Sequence, residues 1–168
     1  MSFTMYQAVV PGFVQTMTAL SKILDKAEAD ATARKIDPTV LLNYRLAPDM
    51  FPLVRQVQSV SDVAKGAVAR LAGVEIPKYE DTEKTIPELK ARLAKTIAFV
   101  QSIKPAAFDG SESRDVTIAI GGKPTTVKGQ DYFVGNVLPN FYFHATATHA
   151  ILRHCGVAIG KRDFLGRT

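Results

Sequence analysis

Val10-Pro11-Gly12-Phe13-Val14-Gln15-Thr16-Met17-Thr18-Ala19-Leu20-Ser21-Lys22-Ile23-Leu24-Asp25-Lys26-Ala27-Glu28 is the stretch that decides the fold class of this chain. Val10, Phe13, Met17, Leu20, Leu24 and Ala27 recur at helical spacing, and about 100° of rotation per residue gathers them into one apolar stripe. Ser21, Lys22, Asp25, Lys26 and Glu28 take the other side. This is an amphipathic helix whose stripe needs partners. Pro11 has no amide donor for an interior position, so it either begins the helix or kinks it one turn in. The pattern fades by Lys35.

Downstream, Asp37-Pro38 starts a short helical turn over Thr39–Tyr44, with Asp37 as its cap. Two prolines, Pro48 and Pro52, keep the next segment out of a helix interior. A second long helix is expected over Phe51–Ala72. Its stripe is Val57, Val60, Ala64, Val68 and Leu71, with Gln58, Asp62, Lys65 and Arg70 pointing elsewhere and Gly73 stopping it. Val74–Asp81 reads as a loop. Thr85-Ile86-Pro87-Glu88 has capping-box spacing and opens a third helix, with the stripe Ile86, Leu89, Leu93, Ile97 and Val100. Val116–Val127 changes period: β-branched runs flank Gly121-Gly122, which predicts a β-hairpin. The last long helix is expected to begin near Pro139 and to end at Cys155, with Gly156 in the left-handed position beyond it. The fold class is therefore all-α: a four-helix bundle over residues 1–168, one domain, with a small hairpin inserted before the last long helix.

The chain has 168 residues, 46% hydrophobic and 22% charged, the balance of an ordinary globular protein. Folding at this length buries roughly 70% of the unfolded surface, so stability needs neither a disulfide nor a structural metal. The lone Cys155 cannot form an internal disulfide and points to a reducing cytoplasm. The opening residues lack a basic segment and carry Pro11 within their apolar stretch, which argues against a signal peptide. No apolar run approaches the roughly 18 residues of a membrane span. The net charge of +5 is spread among acidic neighbours, and no nucleic-acid motif accompanies it.

All three histidines fall between Phe143 and His154. Spacings of five and five turn a helix by about 500° each time, so His144, His149 and His154 fan outward and cannot converge on one metal. His144 shares the inward stripe with Phe141, Thr148, Ile151, Leu152 and Cys155: it is either a ligand or base inside the bundle or a buried neutral imidazole. His149 faces solvent. His154, beside Arg153, suits the helix C-terminus. Cys155 reads as a small buried hydrophobe rather than a nucleophile. Arg45 and Asp49 stand in the double-proline segment, where they line a pocket at the end of the bundle or tie the loop to the helix.

Three groups of residues carry a family resemblance: Arg45-Leu46-Ala47-Pro48-Asp49-Met50-Phe51-Pro52; Pro139-Asn140-Phe141-Tyr142-Phe143-His144; and Ala150-Ile151-Leu152-Arg153-His154-Cys155-Gly156 with Gly160-Lys161-Arg162-Asp163-Phe164-Leu165-Gly166. Over nearly its whole length the chain resembles a bacterial domain-of-unknown-function family grouped with the DinB/YfiT-like metalloenzymes. The resemblance implies an up-down-down-up four-helix bundle and a homodimer. It also implies a superfamily in which three histidines hold a divalent metal, one from the second helix and a pair four apart from the last. Here the second helix has no histidine, Ala150 lies four residues before His154, and Thr148 lies four residues after His144. The metal site reads as degenerate. Two functions stay open. One is a small-molecule-binding or enzyme-like module whose pocket is lined by His144, Asp49, Arg45, Asn140, Arg153 and His154, with no cofactor assigned and a divalent metal left open. The other is a non-catalytic, dimeric helical protein.

Overall fold

The computed structural model describes residues 3–167. Helix α1 (Met5–Ala33) is followed by the short α2 (Pro38–Leu42), then α3 (Leu53–Ala72) and α4 (Ile86–Ser102). A 3-10 turn (Pro105–Phe108) leads into strands β1 (Asp115–Ile120) and β2 (Lys123–Lys128). Then come α5 (Gly129–Tyr132), a π turn (Phe133–Val137), α6 (Leu138–His154) and α7 (Lys161–Phe164).

The long helices α1, α3, α4 and α6 carry the core. α1 lies against α4, α4 against α3, α3 against α6, and α6 returns to α1. Their inward side chains join one apolar cluster in which Phe13, Leu20, Val57, Val60, Leu93, Phe141 and Ile151 are almost wholly removed from water. Phe13 and Phe141 stack across α1 and α6 with centroids 4.1 Å apart. The hairpin is the only sheet among the described residues. It pairs Asp115 with Lys128 and Ile120 with Lys123 in antiparallel register. Gly121 and Gly122 turn it with φ of 57° and 78°, a pair of conformations that side chains resist. No helix among the described residues is long and apolar enough to cross a membrane.

One expected helix start moves upstream. Pro11 neither begins α1 nor lies one turn in: the helix starts at Met5, where Thr4 and Gln7 cap each other's backbone amides. Burial of Met5 and Val9 holds the turn before the proline. The last long helix, α6, starts at Leu138 with Pro139 in its first turn, as expected, and α5 and the π turn lead into it without a break. The π turn directly before α6 widens the backbone where the ring would crowd the preceding turn, and Tyr132, Phe133 and Val137 bury there. Elsewhere, Asp37 caps α2 by accepting from the Thr39 amide at 2.9 Å, and Gly73 (φ 70°) and Gly156 (φ 91°) follow α3 and α6 as expected. Gln58 and Lys65 lie off the apolar stripe, as expected, but not in solvent. Both are buried, because the 74–85 loop lies over them.

Candidate functional site

α3 and α6 bring two polar groups together near the start of α3. Leu53 and Val57 turn into the core, which places Gln56, 1% exposed, toward α6. Phe141, Ala145 and Thr148 bury on α6, which leaves His144 half-buried at the edge of that stripe. His144 Nδ1 and Gln56 Oε1 are 2.8 Å apart. Gln56 Nε2 donates to the Phe51 carbonyl at 3.1 Å, which fixes the carboxamide with its oxygen toward the imidazole. An oxygen there accepts, so Nδ1 carries the proton and Nε2 keeps a free lone pair. Among the described residues nothing bonds to Nε2. Burial, helped by the charge of Arg55, lowers the imidazole pKa from its ordinary 6.5 and favours the neutral ring. Phe51 lies nearly parallel to that ring (16°, centroids 6.4 Å apart), and Phe143 meets it edge-on at 5.3 Å. Arg55 stands over Phe51 at 5.7 Å.

The metal site implied by the resemblance does not fit these donors. Where α3 meets His144 it offers a carboxamide already engaged by Nδ1. Four residues along α6, Thr148 donates to the His144 carbonyl at 2.9 Å. One imidazole, one amide oxygen and a committed hydroxyl are a poor set for a divalent transition metal.

Among the described residues none of the other predicted pocket residues is hydrogen-bonded to the His144 side chain. Arg45 and Asp49 are exposed, and among the described residues their side chains have no hydrogen bond or ion pair. Asn140 is exposed and donates to the Asn136 carbonyl at 2.7 Å. Arg153 donates to the Val157 carbonyl at 3.2 Å, beyond its own helix. His154 Nε2 lies 2.9 Å from the Tyr44 hydroxyl. His149 does not face open solvent: α7 half-covers it, with Gly160 O at 3.3 Å and the Phe164 ring edge-on at 5.8 Å. Cys155 is partly buried, and burial raises its thiol pKa.

Sequence reasoning missed a second polar centre, between α3, α4 and the 74–85 loop. Arg92, 4% exposed, bonds Asp62 at 2.7 Å, Asp81 at 3.0 Å and Glu83 at 3.0 Å, and donates to the Glu80 carbonyl. Gln58 donates to Glu83 at 2.8 Å, Lys65 pairs with Asp62 at 3.2 Å, and Arg55 pairs with Asp81. Beneath them Ser61 and Thr96 share a buried 2.7 Å hydrogen bond. The available signal is a second helical stripe, Gln58, Ser61, Asp62 and Lys65 on α3 with Arg92 and Thr96 on α4, whose polar character does not announce that a loop covers it.

The helical frame, the inserted hairpin and the facing α3–α6 pair define a DinB-like protein. The chain is similar to a crystal structure of a DinB family member protein from Shewanella denitrificans, with 40% sequence identity and a TM-score of 0.89 over 97% of this chain and 92% of that one. It belongs to the family described as Domain of unknown function (DUF1993), whose model matches residues 5–165. No curated protein matches it.

Proposed function

We propose that this chain is a small-molecule-binding or enzyme-like module, built as a one-domain DinB-type four-helix bundle in which a hydrogen-bonded histidine stands in place of a metal centre. The observation that carries this is the fixed tautomer of His144. Gln56 holds Nδ1–H, and Nε2 is left as a neutral acceptor or base between Phe51 and Phe143. Such a group suits a molecule with an apolar body and one N–H or O–H donor. Arg45 and Asp49 are the members of the predicted pocket whose side chains are uncommitted and available to such a molecule.

Proton-detected NMR of the histidine rings, during titration with small phenols and amides, tests the reading. His144 is expected to be the Nδ1–H tautomer, with its Nε2 resonance moving on binding and the response lost in His144→Phe. An Nε2–H tautomer, or ligands that leave His144 undisturbed, overturns it. Metal analysis of purified protein is expected to find no stoichiometric divalent ion bound through His144.

A second reading, a non-catalytic homodimer, is favoured by the same aromatic cluster, since Phe51 and Phe143 are 51% and 58% exposed beside His144. A reducing cytoplasmic setting, from the single Cys155, is common to both readings.

A further inference from the structure

The polar centre around Arg92 is neutral within itself. Asp62, Asp81 and Glu83 balance Arg55, Lys65 and Arg92. Beside it lies a cleft of about 550 Å³ between the 78–83 segment and α4, within the size range of small-molecule sites. The cleft's lining carries three cations, Lys78, Arg92 and Lys95, and three carboxylates, Glu80, Glu83 and Glu88, so it is formally neutral as well, but its charges are not all paired with one another. Lys78 and Lys95 line it, and among the described residues neither ammonium has a carboxylate partner. Lys95 stands over the face of Tyr79, 4.3 Å from the centroid. Lys65 and Arg92 also lie over that ring, at 5.0 and 5.6 Å. Three cations therefore converge on one aromatic wall. Thr82 adds a hydroxyl that has no hydrogen bond among the described residues. Arg92, which also lines the cleft, has a buried Nε–H with no acceptor among the described residues, an unmet donor in a network otherwise satisfied.

The acidic residues of the cleft limit what can enter. Glu83 is taken by Arg92 and Gln58, and Glu88 by the backbone amides of Lys84 and Thr85. Among the described residues only Glu80 of these has a carboxylate with no hydrogen bond or ion pair, and it repels a second negative centre.

From this geometry we infer that the cleft between residues 78–83 and α4 is a binding site for a small molecule with one compact oxyanion, a phosphate or a carboxylate, held by Lys78, Lys95 and Thr82 against Tyr79. It is separate from the His144 site. The single compact charge follows from Glu80, and it excludes extended polyanions such as nucleic acid.

The test is calorimetric titration of the full chain with inorganic phosphate and, separately, with acetate. At least one is expected to bind in the millimolar range, more weakly as salt is added. Lys78→Gln and Lys95→Gln should each weaken binding about three- to tenfold. Glu80→Gln should strengthen it by a similar factor. All three positions are exposed, so the melting temperatures of the variants report that the fold is intact. Preference for phosphate assigns the site to a phosphate group, and preference for acetate to a carboxylate; either order supports the inference. No heat from either anion at about 20 mM, lysine variants that bind as wild type does, or weaker binding in Glu80→Gln overturns it.

Discussion

The partner of Nδ1 decides what His144 can do, and removing that partnership has a cost that can be measured. His144→Ala deletes a half-buried ring and leaves the oxygen of Gln56, which is 1% exposed, without its donor. A loss of about 2 kcal/mol is expected by chemical denaturation, most of it from the stranded oxygen. His144→Phe refills the space but cannot donate, so it should recover less than half. The pH dependence has a definite sign. The folded pKa is lowered from 6.5, so the unfolded chain binds the proton first. The stability contributed by the neutral ring is whole above about pH 6.5 and declines as pH falls toward the lower folded value. A thermal-melt series should lose this acid-side slope in His144→Phe. Arg92 is the opposite kind of residue, charged and enclosed. Arg92→Leu leaves Asp62, Asp81 and Glu83 facing one another without the guanidinium, and should cost about 3–5 kcal/mol by the same measurement.

Elements whose ends are marked by local chemistry were legible in the sequence, and elements whose ends depend on distant packing were not. The Thr85–Glu88 box starts α4 because both groups lie within one turn of the amides they satisfy, and hydrogen bonds from the Lys84 and Thr85 amides hold the Glu88 carboxyl below its usual pKa. Thr85→Ala should cost about 1 kcal/mol in thermal or chemical melts. The hairpin was legible for the same reason, since its two-glycine turn is written in adjacent residues. Gly129 is different. A Cβ there would collide with the backbone oxygen of Ser111, from a segment eighteen residues earlier, and no local pattern announces that approach. Gly129→Ala should therefore cost several times the usual penalty of a surface substitution, about 2–4 kcal/mol, with the hairpin and α5 losing hydrogen-exchange protection first. The helical lead-in to α6 was hidden for a similar reason: the π turn before Pro139 is held by burial of Tyr132, Phe133 and Val137, a tertiary effect. The pairing of His144 with Gln56 was likewise hidden, because it joins residues 88 apart in sequence.

At the scale of the whole molecule, one apolar cluster unites the long helices, while polar groups gather at two seams, α3 with α6 and α3 with α4. The aromatic residues left over lie at the first seam. Phe51 and Phe143 both touch the His144 ring, so exposed apolar surface is continuous across α3 and α6 at that point. Contiguous aromatic surface beside a polar group is the usual composition of a contact between protein chains. The homodimer proposed from the resemblance is placed here, with each copy covering the other's Phe51 and Phe143. Sedimentation velocity at micromolar concentration is expected to give a species of twice the chain mass. Phe143→Glu, which puts a charge on a residue outside the core, should shift that species to the monomer while leaving the unfolding transition cooperative. A wild-type chain that sediments as a monomer removes the dimer. A variant that stays dimeric moves the interface away from this face, and His144 is then open to small ligands in the assembled protein. Where Phe143→Glu dissociates the dimer as expected, the phenol titration separates the two readings: a His144 that already responds in the wild-type dimer supports ligand binding, and one that responds only in the monomeric variant gives the aromatic face to self-association and ends the ligand-binding reading.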